Sequence, residues 1–325
     1  MAKTGSKTKA GSAEPDMNGM LIDSVYISPL TDFGFKRLFY NSELLIPFLN
    51  DIVGMDIKTV EYKSTEGLGW FFEERTAVFD LLCTTNKEEQ FVVEMQLGQQ
   101  TFFRDRALFY GSHVIRRQAP RRKNWNFNLK PVYIVSVLNF NIFRDEASKD
   151  RVIERVYLYR ESAGERFSDK FQMIFVQLPK FGKALRELES STDNWLFLLK
   201  NAERLKSCPP EITGEPFKLF LEIAEIKKLT PEDMNRYEVS LEKSYQMRNI
   251  ANFARMEGMM EGRMEGRMEG LMEGEMKGMK KGITEKSQQI AVKLLMRGET
   301  VDDIVSITEL TREQVTALLS QLPKV

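Results

Sequence analysis

The feature that most constrains this chain is a pair of apolar segments, Ala77–Cys83 and Phe91–Leu97, separated by the polar residues Thr84–Gln90. β-Branched and aromatic residues on both sides of a short polar connector predict a β-hairpin. Each segment also carries one acid at a position that a buried strand would not favour, Asp80 in the first and Glu94 in the second. A turn centred midway between these acids would place them directly opposite each other.

Opposed residues of a hairpin have Cβ atoms about 4.5–5.5 Å apart, so Asp80 and Glu94 would be close enough to share a divalent cation. Gln96 points to the same face as Glu94, because side chains alternate along a strand. Without a cation the two carboxylates would repel each other, and burial would add to that cost. An oxygen-preferring ion such as Mg²⁺ removes both penalties. The alternative is a partly exposed hairpin whose polar face simply carries acids.

Composition limits the class and compartment of the protein. The 325 residues contain 47 basic and 47 acidic side chains, so the net charge says nothing about a polyanionic partner until charge is mapped locally. The two cysteines form no CxxC motif, which argues against a zinc site or disulfide framework and fits a reducing, cytoplasmic compartment. With no apolar run long enough for a membrane span and no signal-peptide core, we expect no membrane association. The single histidine, His113, has no orienting partner nearby in sequence, which favours a structural role over a catalytic one.

Apolar periodicity predicts an α/β core with a mixed central sheet flanked by helices. Thr31 or Asp32 would cap the first helix. The other predicted elements of the core are helices over Glu43–Val53 and Phe102–Arg117 and strands over Asp56–Ser64, Pro131–Leu138, Val152–Glu161 and Phe171–Leu178. Later segments are predicted to be helical: a helix with its capped start at Thr192, then Glu215–Leu229 and Pro231–Arg255.

These patterns predict five regions along the chain. They are a disordered N-terminus (1–20), the α/β core (21–180), a helical extension (181–255), a four-residue repeat (256–286) and a small helical module (287–325).

The repeat places glycine at every fourth position from Gly258 to Gly282, with Glu and Met between. Four residues advance an α-helix by one turn plus about 40°, so the glycines would form a slowly drifting stripe. A helical spacer that can self-associate along this stripe is favoured over a flexible linker. The tail predicts three short helices, the last opened by a capping box at Thr311. Because Arg312 is the only basic residue of that helix, an association module is favoured over a DNA-reading helix-turn-helix.

A basic segment follows the acidic hairpin and contains one acid, Asp105. Its basic residues are Arg104, Arg106, Arg116, Arg117, Arg121, Arg122, Lys123 and Lys130. Trp125 and Phe127 lie among them. Next to a metal-binding hairpin, this segment is what a site that handles phosphodiesters needs, with arginines holding phosphates. The alternative is a solvated helix face followed by a basic loop.

Several of these segments together resemble the recombination-promoting nuclease and transposase group of the PD-(D/E)XK nuclease superfamily. The matching segments are Thr31–Phe39, Asp80 with Val92–Gln96, the helix with Arg104, Arg106 and Tyr110, Asp193–Asn201, and the glycine-glutamate repeat. The resemblance covers roughly 25–285. It implies a restriction-endonuclease-like core and a metal-dependent DNA endonuclease that hydrolyses phosphodiester bonds. Asp80, Glu94 and the backbone carbonyl of Met95 would hold Mg²⁺, with Mn²⁺ as an alternative.

The resemblance also raises two questions about the site. Gln96 stands where the superfamily more often has lysine, and an amide can hydrogen-bond but carries no charge. The superfamily often adds an acid from its first core helix, for which Asp32 is preferred here over Glu43. On this hypothesis Arg104 and Arg106 would bind the scissile or a neighbouring phosphate, and Gln96 would orient the water. The alternatives are a catalytically decayed nuclease fold kept for DNA binding or assembly, and a transposase with strand-transfer activity.

Overall fold

The computed structural model describes residues 24–63, 80–98, 101–119 and 125–321. The predicted disorder of 1–20, a predicted loop at 66–70 and the first residues of the predicted hairpin, 77–79, lie outside these ranges. By its contacts the chain divides into two compact units, 1–251 and 252–325.

Two short helices come first among the described residues of the first unit. Helix α1 spans Asp32–Phe39, and the Thr31 hydroxyl accepts a hydrogen bond from the Gly34 amide at 3.0 Å, which confirms the predicted cap. Helix α2 spans Ser42–Leu49 and continues as a π-helical segment, Asn50–Gly54. The predicted helix over Glu43–Val53, ending at Gly54, is thus confirmed in its extent, although its last turn is π-helical instead of α-helical.

Six strands form one mixed sheet. In chain order they are β1 Val60–Tyr62, β2 Leu81–Thr85, β3 Gln90–Gln96, β4 Val132–Leu138, β5 Ile153–Arg160 and β6 Glu165–Gln177. Their spatial order is β1-β2-β3-β4-β6-β5. The β3–β4 and β4–β6 pairs are parallel, and the other neighbours are antiparallel. Helix α3, Phe103–Arg117, makes the crossover between the parallel strands β3 and β4.

The sheet buries a different set of residues on each face. One face packs against α1, α2 and two later helices, α4 (Ser191–Asn201) and α5 (Glu215–Ala224), around Trp195. The opposite face packs against α3 through Phe103, Ala107 and Val114. Along β3, Phe91, Val93 and Met95 face the first group, whereas Val92 faces α3. Glu94 and Gln96 follow Val92 by the strand alternation and so share the α3 face.

Several predicted boundaries were wrong because long-range pairing or a stronger cap decides them. Strand β1 is shorter than the predicted Asp56–Ser64, since only Val60–Tyr62 pairs with β2. Strand β6 begins at Glu165, not Phe171, because its exposed first half pairs with β5. Helix α4 is capped by Ser190, not Thr192: the Ser190 hydroxyl accepts from the Asp193 amide at 3.1 Å. Helix α5 ends at Ala224 and is followed by a 3₁₀ turn, not by a helix to Leu229.

A long helix, α6, spans Pro231–Met296 without the predicted end at Arg255. The predicted helix Pro231–Arg255 and the four-residue repeat are therefore parts of one helix, and the repeat is helical. The second unit contains the C-terminal part of α6 with α7 (Val301–Thr308) and α8 (Arg312–Gln321). Its core is Ala291, Ile304, Leu310 and Val315.

Candidate active site

Asp80 and Glu94 meet at the start of β2. The strands pair Leu81 with Val93 and Cys83 with Phe91, which confirms the register predicted from the turn. The Asp80 amide donates to Glu94 Oε1 at 3.3 Å, and the Met95 amide donates to Asp80 Oδ2 at 2.8 Å. Each carboxylate thus accepts a backbone hydrogen bond from the strand that carries the other.

Two further side chains converge on Glu94. Gln96 donates through Nε2 to Glu94 Oε2 at 3.2 Å, as expected for side chains on one face of β3. Arg106, one turn into α3, donates to the same oxygen at 3.1 Å. The Glu94 side chain is only 3% exposed, whereas Arg106 remains 26% exposed. The carboxylate is therefore buried and oriented, with its cationic partner on the solvent side.

Burial and mutual repulsion dominate the electrostatics of the pair. Desolvation, followed by the negative charge of Asp80, raises the pKa of Glu94 to about 8, although Arg106 acts in the opposite direction. Desolvation also raises the pKa of Asp80, against the Met95 hydrogen bond and the positive charges of Lys36 and Arg106. Two buried acids of this kind hold a proton at neutral pH unless a cation replaces it.

Helix α1 brings a third acid and a lysine to the same place. Asp32, Lys36 and Tyr40 are spaced by four residues and lie on one helix face. Lys36 Nζ lies 2.7 Å from Asp32 Oδ1, and the Tyr40 hydroxyl is 3.5 Å from the Asp80 carbonyl oxygen. The charges of both Asp32 and Lys36 act on the pKa of Asp80. Sequence reasoning singled out Asp32 but missed Lys36, although the spacing of four residues would have indicated it.

The structure places the other candidate acid elsewhere. Glu43 lies on α2 beside a cavity whose other wall is α5, with Glu215 and Pro216.

The donor set fits a hard divalent ion that keeps part of its water shell. Among the described residues, no group of three or more His, Cys, Asp or Glu side chains is arranged to hold a metal. Two carboxylates and a backbone carbonyl would nevertheless suit Mg²⁺, which commonly takes one or two carboxylates and completes its octahedron with waters and substrate oxygens. The raised pKa values of the pair are consistent with a place where a cation would displace a proton.

The predicted basic residues have different surroundings. Arg106 contacts Glu94, and Arg104 donates to the Ile142 carbonyl at 2.9 Å with its guanidinium 5.0 Å from the Phe143 ring centre. Arg116 and Arg117 are exposed at the end of α3. Arg121, Arg122 and Lys123 lie outside the described residues, and Lys130 pairs with Glu88.

His113 and the cysteines lack the surroundings of catalytic groups. The Nδ1 atom of His113 lies 3.1 Å from the Phe109 carbonyl oxygen one turn earlier, and its ring packs on Phe109 with centroids 4.3 Å apart. Cys83 is buried and Cys208 exposed, and both are free thiols. Burial raises the pKa of Cys83 to about 12, which keeps that thiol protonated and unreactive.

A mixed sheet with two acids at the hairpin edge and flanking helices defines a restriction-endonuclease-like fold, and comparison with known families agrees. The family model for PD-(D/E)XK nuclease family transposases matches residues 29–254. The chain therefore belongs to the PD-(D/E)XK nuclease family transposases. Comparisons with curated proteins and with solved structures returned no match.

Membership has consequences for class and substrate. It supports nuclease activity, and so a hydrolase, and it implies a DNA substrate. PD-(D/E)XK nucleases generally use divalent metal ions. Among the residues described, no helix is both long and apolar enough to cross a membrane.

Proposed function

We propose that this protein is a Mg²⁺-dependent DNA endonuclease that hydrolyses phosphodiester bonds at Asp80 and Glu94. The observation that carries the proposal is the carboxylate pair of the buried Glu94 and the partly buried Asp80, in which each acid is held by a backbone amide of the opposite strand. Keeping two acids buried side by side has a folding cost, and a cation-binding role accounts for it.

Asp80, Glu94 and the Met95 carbonyl would hold the ion, with Asp32 available as a further ligand and Mn²⁺ as an alternative ion. When bound, a divalent cation would lower the pKa of a water and neutralise charge on the scissile phosphate. Arg106 contacts the Glu94 carboxylate at 3.1 Å and remains 26% exposed, so its guanidinium can be reached from solvent. Gln96 donates its amide hydrogen to Glu94, so its carbonyl oxygen is left to orient a water.

Because Gln96 carries no charge, the positive charge that stabilises the transition state would come from the neighbouring helices. Lys36 of α1 acts on Asp80 from one side and Arg106 of α3 on Glu94 from the other. Stabilisation of the phosphoryl oxygens by such positioned cations is the main protein contribution expected in phosphate chemistry. Contacts to neighbouring phosphates would come from the basic segment Arg104, Arg116, Arg117, Arg121, Arg122 and Lys123.

The test is cleavage of supercoiled plasmid by wild type, Asp80→Asn and Glu94→Gln, with Mg²⁺, with Mn²⁺ and with EDTA. We expect nicking or linearisation by wild type only with metal, and a loss of at least about a hundredfold in each variant, since each removes a charged ligand. Glu61→Gln, at the exposed position of β1, is the matched control and should cleave as wild type. Equal cleavage by wild type and both variants would contradict the assigned site.

A second candidate function is a decayed nuclease that binds DNA without cutting it. The observation that favours it is Gln96 in place of the lysine more usual in the superfamily. Such a protein would shift DNA in a gel with or without Mg²⁺ and would nick plasmid under none of the conditions. Strand transfer, the transposase activity in the family description, would instead be detected as covalent joining of a labelled DNA end to the plasmid.

We also propose a cytoplasmic protein that self-associates through the repeat and the C-terminal helices. The methionines of the repeat are mostly exposed, from 59% at Met268 to 74% at Met259, so their apolar surface is available to a second copy. Sedimentation of the full chain, compared with a variant in which the repeat methionines are glutamine, tests the association. An unchanged sedimentation coefficient would contradict it.

A further inference from the structure

A groove lies between α1 and the first turns of α6, beside the candidate active site. Its volume is about 940 Å³, and both walls belong to the first compact unit. Phe33, Lys36 and Tyr40 line it from α1, and Arg236 and Lys243 line it from α6.

The walls are fixed to each other by polar contacts along the floor. The Phe33 amide donates to Ser240 Oγ at 3.0 Å, and Arg37 pairs with Asp233 at 3.0 Å. The Tyr237 hydroxyl, one turn before Ser240, accepts from the Ser28 amide at 2.9 Å. The groove is therefore a built feature of the unit, held by both helices, and ligand binding would not have to order it first.

The lining favours an anion. Four basic residues (Lys36, Arg37, Arg236 and Lys243) stand against two acids (Asp32 and Asp233) in the groove wall. Both acids are already neutralised by contacts, Asp32 by Lys36 at 2.7 Å and Asp233 by Arg37 at 3.0 Å. On the α6 wall Arg236 pairs with Glu232 at 2.7 Å, an exposed ion pair of the kind that contributes little and can be exchanged for a phosphate. The excess positive charge therefore lies at Lys243, two helical turns further along the same face.

Aromatic rings lie among these cations. Tyr40 is 47% exposed at the end of the groove, and Phe33 is half-buried in its wall. Cations that follow a phosphate backbone, combined with accessible rings on which bases stack, are typical of surfaces that bind single-stranded nucleic acid.

The groove reaches the carboxylate pair. Asp32, Lys36 and Tyr40 line the groove and also form the α1 face directed at Asp80, with the Tyr40 hydroxyl 3.5 Å from the Asp80 carbonyl oxygen. A strand lying in the groove would enter the candidate active site past Lys36.

We propose that this groove binds an unpaired DNA strand on one side of the scissile phosphate, with its backbone along Arg236 and Lys243 and a base stacked on Tyr40. The inference rests on the proposed nuclease function and specifies its substrate as DNA with single-stranded character at the cut. A base paired in a duplex has both faces covered by its neighbours and cannot stack on Tyr40 without leaving the helix.

The test is fluorescence anisotropy of the full chain in EDTA, with a labelled single-stranded oligonucleotide and a duplex of the same length. Lys243→Glu and Arg236→Glu should each weaken single-strand binding about tenfold or more at low salt, and the salt slope should fall by about 0.7 for each phosphate that the variant no longer binds. Tyr40→Ala should weaken binding of the single strand about five- to hundredfold and leave the duplex little changed.

Controls separate this proposal from misfolding and from the nuclease proposal. Lys149→Glu, on an exposed turn outside the groove, should bind as wild type, and Lys243→Gln and Arg236→Gln provide milder variants if charge reversal disturbs the fold. Three results would contradict the proposal that the groove binds a single strand. They are wild-type affinity in Lys243→Glu and Arg236→Glu, no single-strand binding by the wild type, and equal losses of affinity for duplex and single strand. Groove-dependent binding without metal-dependent cleavage would support the binding proposal and contradict the nuclease proposal. Metal-dependent cleavage by the wild type, with single-strand binding unchanged in the groove variants, would support the nuclease proposal and contradict the binding proposal.

Discussion

Helices α3 and α6 both contain glycine, but for different physical reasons. In α3 a Cβ added at Gly111 would lie 2.2 Å from Phe171 Cε2, so the helix approaches the sheet as closely as it does because no side chain is present. In α6 nothing lies within 4 Å of the corresponding position in any repeat glycine from Gly258 to Gly282. One glycine is fixed by a contact inside the chain, and the seven others have no such contact in their described surroundings.

The comparison shows that regularity in a sequence and constraint in a structure are different properties. The repeat is the most conspicuous pattern in the chain, yet its side chains are exposed. Gly111 stands in no pattern, yet it sets how closely α3, and therefore Arg106, approaches the sheet face that carries Glu94. A repeat with exposed side chains is open to contacts with other molecules, whereas an isolated glycine under a buried ring is a packing requirement.

Glycine-to-alanine substitutions in the two helices test this comparison with the largest expected effects. Gly111→Ala should destabilise the first unit by about 1–3 kcal/mol, because Phe171 must move to admit the new methyl group. Gly266→Ala should stabilise the repeat helix by up to about 1 kcal/mol, because alanine loses less conformational entropy in a helix and meets nothing.

Hydrogen exchange measured by mass spectrometry on full-length variants reads both effects. Exchange should become faster in peptides covering 103–117 for Gly111→Ala and slower in peptides covering 256–282 for Gly266→Ala. Slower exchange at 103–117, or no change at 256–282, would mean that one of the two glycines has been assigned the wrong role.

A second prediction concerns how the carboxylate pair makes stability depend on pH. The exposed acids of the repeat serve as the comparison. In the folded, metal-free protein the pKa of Glu94 is raised from 4.5 to about 8. Between these two pH values the folded state therefore keeps a proton that the unfolded state releases. The free energy of unfolding should therefore fall as pH rises from about 4.5 to 8, by at most about 1.4 kcal/mol per pH unit. Glu94→Gln has no proton to lose and should show a flatter profile.

Urea denaturation in EDTA at several pH values, compared between wild type and Glu94→Gln, isolates this contribution because other titrating groups cancel in the difference. Glu269→Gln, in the exposed repeat, is the matched control and should follow the wild-type profile. Parallel profiles for wild type and Glu94→Gln would show that Glu94 is ionised in the folded protein without metal.

Local signals in the sequence were sufficient where neighbours along the chain decide the structure. The hairpin turn fixed the pairing of Leu81 with Val93, the Thr31 hydroxyl capped α1, and the apolar run Val132–Leu138 formed a buried strand, as predicted. Each of these depends on residues within one element or one turn.

Contacts between distant segments could not be predicted in the same way. Arg106 was assigned to phosphate from its position in a basic run, but its partner in the structure is Glu94, reached only because α3 crosses over that face of the sheet. Lys36 joins the site through the packing of α1 beside Asp80, and the α1–α6 groove needs a helix some two hundred residues further on. Neither the length of β6 nor the continuity of α6 past Arg255 follows from a local pattern. Strand pairing decides the first, and the repeated glycines lower the helix propensity of the segment in which α6 continues.

A more local effect is expected in the second unit, where helix caps contribute to stability beside a small core. The Thr311 hydroxyl accepts from the Gln314 amide at 3.2 Å, and the Gln314 side chain accepts from the Thr311 amide at 2.9 Å, which confirms the predicted capping box. Thr311→Ala removes the first of these bonds and should cost about 0.5–2 kcal/mol. Helix α8 contributes Val315 to a core of four fully buried or nearly buried apolar residues, so such a loss is large relative to what holds the helix in place.

Thr316→Ala is the control, since the Thr316 hydroxyl donates to the Arg312 carbonyl within the helix and its loss should change stability little. Hydrogen exchange should become faster at 312–321 in Thr311→Ala and remain as in wild type at 103–117. Faster exchange at both 312–321 and 103–117 would mean that the cap also stabilises the first unit. That result would contradict the view that local caps determine the order of the C-terminal helices. An effect confined to 312–321 would show that the module owes its order to its own caps and its own small core.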